Sequence, residues 1–172
     1  MKEANWNDCL NNRSVKNITP DINRAGSLIE TAKERIALIK EINEKNCNFV
    51  FEDYYTSLLE LLQAMAFKKG FNILNHVCLG FYLKDILKRE ELYILFDDLR
   101  FKRNSLTYYG SRMDYETAKQ TIEKCKKLIK ELEFTKVFSD SELNSQSREA
   151  GQSGNAPGQG GGNSGNAPGQ NK

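Results

Sequence analysis

The stretch NFVFEDYYTSLLELLQAMAFKKG, Asn48 to Gly70, constrains the fold more than any other part of the chain. It ends in Lys68, Lys69 and Gly70, a cationic last turn followed by a residue suited to a left-handed stop, so it reads as a helix from about Asn48 to Lys69. Wound at 3.6 residues per turn, it shows only a narrow polar stripe, made of Asp53, Thr56, Ser57, Glu60 and Gln63. Apart from Asn48 and Glu52 at its start and the lysines at its end, the rest is apolar or aromatic. A helix of this kind must be covered on more than one side, and the remaining segments have to supply the cover.

They do so with a helical period. TPDINRAGSLIETAKERIALIKEINEK offers Thr19 as N-cap, Pro20 at the first helical position and Asp21 in the first turn. Apolar residues then recur at Ile22, Ala25, Leu28, Ile29, Ala32, Ile36, Ile39 and Ile42, which predicts a long amphipathic helix. The link from Lys45 to Asn48 is short enough to make this helix and the central one an antiparallel hairpin. A third helix opens on Asn75 and carries Leu79, Tyr82, Leu83, Ile86 and Leu87, and a fourth starts near Glu90. The fifth is capped by Asp114 and keeps Tyr115, Ala118, Ile122, Cys125, Leu128, Ile129 and Leu132 in phase. No stretch alternates apolar and polar residues for long enough to predict a strand. The expected fold class is all-α, a five-helix bundle over residues 19–138 built on the long hairpin.

The two ends read differently. Residues 1–18 are polar, with Trp6 and Leu10 as their sizeable apolar anchors, and predict a loosely docked N-terminal arm. From Ser139 the chain holds one leucine and repeats SGNAPGQ at Ser153 to Gln159 and Ser164 to Gln170. Ordering a backbone costs about 1–2 kcal/mol per residue, and this composition has too little apolar surface to offset it. Residues 139–172 therefore read as a low-complexity flexible tail.

A net charge of +2 over 172 residues is too mild to imply a nucleic-acid partner, so any such case has to be made locally. Cys9, Cys47, Cys78 and Cys125 are scattered with no C-x-x-C pair, and suggest neither a zinc site nor a disulfide framework. Free, reduced thiols in a cytoplasmic protein are the expectation, with no metal and no cofactor. The N-terminus lacks an apolar signal-like core and no run of about eighteen apolar residues occurs, so no membrane partner is expected.

The local case lies in LRFKRNSLTYYG, Leu99 to Gly110. Leu92, Leu95, Phe96 and Leu99 mark the buried stripe of the fourth helix, and one turn further along it stands Arg103. Burying an unpaired guanidinium costs several kcal/mol, about that much even after relaxation, so Arg103 must be paired, reach a water-filled cleft, or face another chain. Arg100 and Asn104 flank it, and Ser105, Thr107, Tyr108 and Tyr109 add hydroxyls. The plainer alternative is a helix C-terminus whose Arg100, Lys102 and Arg103 complement the dipole, with Asn104 or Gly110 as the stop. Lys84, Lys88, Arg89 and Arg112 extend a basic rim, although Glu90, Glu91, Asp97 and Asp98 interleave with it.

From Thr19 to Phe134 the chain resembles the HEPN family, small α-helical domains that carry Arg, often Asn, and then His some four to six residues on. RNSLTYY at Arg103 to Tyr109 is similar to that pattern, and DYYTSLLELLQAMAFKKG is similar to the family's second helix. The resemblance implies a homodimer and, in many members, a metal-independent endoribonuclease in which Arg binds the scissile phosphate and His moves a proton. Carried over, Arg103 is the phosphate ligand, with Arg100, Asn104 and Tyr109 as further RNA or nucleotide contacts. Tyr108 stands at the histidine position and Gly110 at that of the family's final tyrosine. A tyrosine near pKa 10 is a poor general base at neutral pH, so binding without efficient cleavage is the other outcome.

His76, the single histidine, is the one residue able to replace the missing one from elsewhere, against the alternative of a capping histidine. Glu52 and Asp53 resemble the family's polar position and are placed to hold Arg103, or else lie on the surface. Some members of the family pair with a minimal nucleotidyltransferase that modifies a motif tyrosine, which here implies Tyr108 or Tyr109. A non-catalytic helical scaffold, in which Arg103 closes an ion pair with Glu52 or Asp53, is the remaining alternative.

Overall fold

The computed structural model describes residues 5–134, and the repeat-bearing segment from Ser139 lies outside the described residues. The central helix forms as expected. α3 runs Cys47–Lys68, and Phe51, Tyr55, Leu58, Leu62, Met65 and Phe67 along it are almost wholly buried. Before it come α1 (Trp6–Asn11), β1 (Val15–Asn17) and α2 (Ile22–Ala37). After it come β2 (Phe71–Ile73), α4 (His76–Phe81) with a π-helical turn over Tyr82–Ile86, α5 (Glu90–Tyr109) and α6 (Tyr115–Phe134). α2 and α6 lie along α3, and α5 packs on α6, α4 and the π turn. The described residues thus make a mostly helical bundle, with six α-helices rather than five.

Expectations about four parts of the chain are corrected. α2 is capped by Asp21, whose Oδ1 accepts from the Arg24 amide at 2.9 Å, rather than by Thr19. The preceding backbone is already committed, because the Ile18 amide donates to the Gly70 carbonyl at 2.8 Å and the Asp21 amide to Phe67 at 3.1 Å. Gly70 is required there: its φ is +80°, and a Cβ would lie 2.8 Å from the Ile18 carbonyl oxygen. α2 then stops at Ala37, and Leu38 is 79% exposed, so the link to α3 spans residues 38–46 instead of a tight turn.

The second correction is a small antiparallel sheet, in which Val15 pairs with Ile73, Lys16 with Asn72 and Asn17 with Phe71. Three-residue strands are too short to show alternation. The third concerns the N-terminal segment, which over the described residues is firmly docked. Asn5 and Asp8 form a reciprocal capping box, the Trp6 amide donates to Asp85 at 2.8 Å, and the indole meets Phe71 edge-on at 5.3 Å.

The fourth correction concerns the thiols. Cys9 and Cys78, 69 residues apart, form a disulfide that ties α1 to α4, while Cys47 and Cys125 are free and buried. A cross-link of this span restricts the unfolded chain by about 3–5 kcal/mol in the loop-entropy picture. It forms because β1–β2 pairing and Trp6 burial bring α1 onto α4, a non-local event that cysteine spacing does not encode. No helix among the described residues is long and apolar enough to cross a membrane.

Candidate functional site

α5 keeps one phase over twenty residues. Leu92, Phe96 and Leu99 on its inner stripe are at most 3% exposed, and Arg103 one turn later is half-buried. The helix ends at Gly110, φ +63°, with the amides of Gly110 and Ser111 both returning to the Ser105 carbonyl. Gly110 is thus the stop, and Arg103 and Asn104 belong to the helix body rather than its end. The last-turn reading of these basic residues is set aside.

The neighbours of Arg103 come from three helices. Tyr108 on α5 places its ring 5.6 Å from the guanidinium, a cation–π distance. His76, the first residue of α4, and Tyr55, from the middle of α3, share a hydrogen bond at 3.3 Å between the phenol oxygen and Nδ1. Tyr55 also lies nearly parallel to Phe96, with ring centroids 6.2 Å apart, so its position is fixed by the core. Nδ1 is engaged, so the free ring nitrogen, Nε2, offers an N–H when Tyr55 donates and a lone pair when Tyr55 accepts.

The electrostatics couple these groups. Burial lowers the His76 pKa from its ordinary value of 6.5, and the charges of Arg103 and Arg100 lower it further. Burial raises the Tyr55 phenol well above its usual value, and the same two arginines partly oppose the rise. His76 is therefore held neutral at pH 7 beside cationic groups. Its protonation responds to whatever neutralises them.

Most of the basic rim is already paired. Arg100 reaches Asp97 at 2.6 Å, Lys102 and Lys124 reach Asp98 at 3.7 and 2.7 Å, Lys84 reaches Glu90 at 3.7 Å, and Arg89 bridges Glu91 and Glu131. Arg103 and Arg112 form no salt bridge with any described carboxylate. The expected clamp by Glu52 or Asp53 is not made. Glu52 accepts from the Thr107 hydroxyl at 3.2 Å, and Asp53 lines a groove with Arg35, on the side of α3 that faces α2. An i,i+1 pair points in directions about 100° apart on a helix, so the two cannot serve one arginine. No ion pair of Arg103 with either residue is formed among the described residues.

Sequence-selected residues thus gather in part. Arg103 and Tyr108 meet, His76 lies within electrostatic reach of Arg103 and Arg100, Asn104 is half-buried beside Arg103, and Tyr109 is 83% exposed. Tyr55 is not singled out as a site residue by the sequence, and Thr107, named there only for its hydroxyl, serves to hold Glu52. The signal for Tyr55 was available, since a tyrosine on a helix buried all round needs a partner for its hydroxyl. No group of three His, Cys, Asp or Glu among the described residues is placed to hold a metal ion. Comparison with family models, with curated proteins and with solved structures returned no match.

Proposed function

We propose that the chain is a HEPN-like RNA- or nucleotide-binding protein whose phosphate contact is Arg103. The observation that carries this reading is a half-buried guanidinium on the apolar stripe of α5, unpaired with any described carboxylate and within electrostatic reach of a neutral imidazole. An arginine stays charged at every working pH, and its planar fork matches two phosphate oxygens. Asn104 adds an amide alongside, and Tyr108 and Tyr109 present exposed hydroxyls and ring faces.

Proton transfer is the weaker half of the reading. Tyr108 is suited to donating a hydrogen bond to phosphate rather than to removing a proton from a 2′-hydroxyl. His76 Nε2, positioned through Tyr55, is the better base in the tautomer that leaves its lone pair free. Cleavage by such a site is slow relative to binding. The test is incubation with single-stranded and structured RNA in EDTA, wild type against Arg103→Ala. Affinity and any metal-free cleavage are expected to fall together in the variant, and an Arg103→Ala protein that binds RNA unchanged would overturn the reading.

A second copy of the chain is part of the same proposal. Ile94, Phe101 and Tyr108 recur every seven residues on the outer face of α5 and are 63, 68 and 71% exposed. The first half of the helix holds Glu90, Glu91, Asp97 and Asp98, and the second half Arg100 and Lys102. Antiparallel pairing of two α5 helices puts Ile94 against Tyr108 and each acidic half against a basic one. Sedimentation of Phe101→Asp as a monomer beside a dimeric wild type is the expected result.

A second reading is favoured by one observation. Tyr108 and Tyr109 leave their hydroxyls accessible to another enzyme, as a nucleotidyltransferase partner requires. Intact mass after co-expression with a transferase encoded beside this chain distinguishes it: a nucleotidyl increment lost in Tyr108→Phe or Tyr109→Phe supports the modification.

A further inference from the structure

Beyond Arg103, the same face of α5 runs on through Leu106 and Gly110, three and seven residues later, into a crevice that the phosphate reading does not use. The crevice has a volume of about 250 Å³ and is lined by Asn48, Phe49, Glu52, Leu106, Gly110 and Arg112. One wall is the Phe49 ring, 57% exposed despite its size. Opposite it stands Arg112, its guanidinium 6.0 Å from the ring centroid. The Glu52 carboxylate is at the edge, held through one oxygen by Thr107. Gly110 leaves open space where a side chain would begin.

The backbone that carries the walls is fixed in place, while the exposed Arg112 side chain can swing outward to widen the gap. The Asn48 side chain donates to the Met113 carbonyl and accepts from the Met113 amide, both at 3.0 Å, which staples the turn after α5 to the start of α3. Phe49 and Arg112 flank that staple directly in sequence. Neither has another specific polar partner among the described residues, so beyond their mutual contact the fold makes no use of them.

A flat aromatic ring opposed by a flat cation, with a carboxylate at one edge, is chemistry for a planar heteroaromatic ring bearing N–H donors. We propose that this crevice takes an unpaired guanine base of an RNA whose phosphate lies on Arg103; the proposal rests on the RNA-binding reading above. Phe49 stacks on one face of the base and the Arg112 guanidinium covers the other, as aromatic and arginine planes do for unstacked bases. Glu52, which only accepts hydrogen bonds, pairs with the adjacent ring and exocyclic N–H groups that guanine alone among the common bases presents on one edge. The helical rise of 1.5 Å per residue puts Leu106 and Gly110 roughly 4.5 and 10 Å beyond Arg103 along α5, the scale of one nucleotide from phosphate to base.

The experiment is fluorescence anisotropy with a labelled single-stranded RNA octamer carrying one guanine, the same octamer with adenine at that position, and the same octamer with an abasic nucleotide there. Wild type is expected to bind the guanine form about tenfold more tightly than the abasic form. Phe49→Ala, at an exposed site that leaves the core intact, should bind guanine and abasic forms alike. Glu52→Gln should still prefer a base to none, yet lose the preference for guanine over adenine. If Arg103→Ala weakens binding of all three octamers while wild type treats them equally, the crevice proposal is overturned and the phosphate reading stands. If Arg103→Ala changes nothing for any octamer, the phosphate reading fails and the crevice proposal with it.

Discussion

The two halves of α5 share one helix and one phase, and differ in what the inner stripe carries. From Glu90 to Leu99 the stripe is apolar, and Leu92, Phe96 and Leu99 close against the core. From Arg100 to Tyr109 the same stripe holds Arg103, and the outer side chains Phe101, Tyr108 and Tyr109 are left more than two-thirds exposed. The first half is held by burial, which is worth about 25 cal/mol per Å² of apolar surface. At Arg103 the second half gives up that gain for a cation over the Tyr108 ring that also holds the His76 pKa down. The proposed phosphate contact rests on this contrast.

The contrast is breakable by mutation. Leu99→Ala deletes a fully buried side chain and is expected to cost about 2–5 kcal/mol in urea unfolding. Arg103→Ala, one turn later on the same stripe, should change stability by less than about 1 kcal/mol, because no ion pair with a described carboxylate is lost. Equal losses at the two positions would mean that Arg103 is a structural residue and that the halves do not differ.

How far the chain could be read in advance follows the same division. α3, α5 and α6 were legible because their apolar phase is long and their ends carry strong stop or cap residues, Gly70, Gly110 and Asp114. In α2 the periodicity overran the backbone: Ile39 and Ile42 still pack on the core, but from a non-helical link after Ala37. Periodicity reports burial, and burial does not require a helix. The Cys9–Cys78 disulfide and the β1–β2 pair were not legible, since both depend on segments more than fifty residues apart meeting first. Within the site, Arg103 could be found by phase alone. The His76–Tyr55 bond joins two helices 21 residues apart in sequence, and only packing brings them together.

A smaller effect sharpens the comparison through pH. His76 binds its proton less readily in the fold than in the unfolded chain, so between the ordinary value of 6.5 and its lowered folded value the unfolded state holds more protons. Stability should therefore fall as the pH drops through that window and be unaffected by His76 above it. Urea midpoints measured between pH 5 and 7.5 test this, and His76→Gln should remove that part of the slope. Arg103→Ala should reduce it without abolishing it, because burial, the larger cause, remains.

The most direct measurement uses the fact that the chain has one histidine. Its ring signal can be titrated by NMR without assignment ambiguity, free and with a saturating single-stranded RNA. Phosphate on Arg103 neutralises a charge that holds the His76 pKa down, so RNA should raise that pKa in wild type and leave it unmoved in Arg103→Ala. A ring that titrates identically with and without bound RNA would contradict the account.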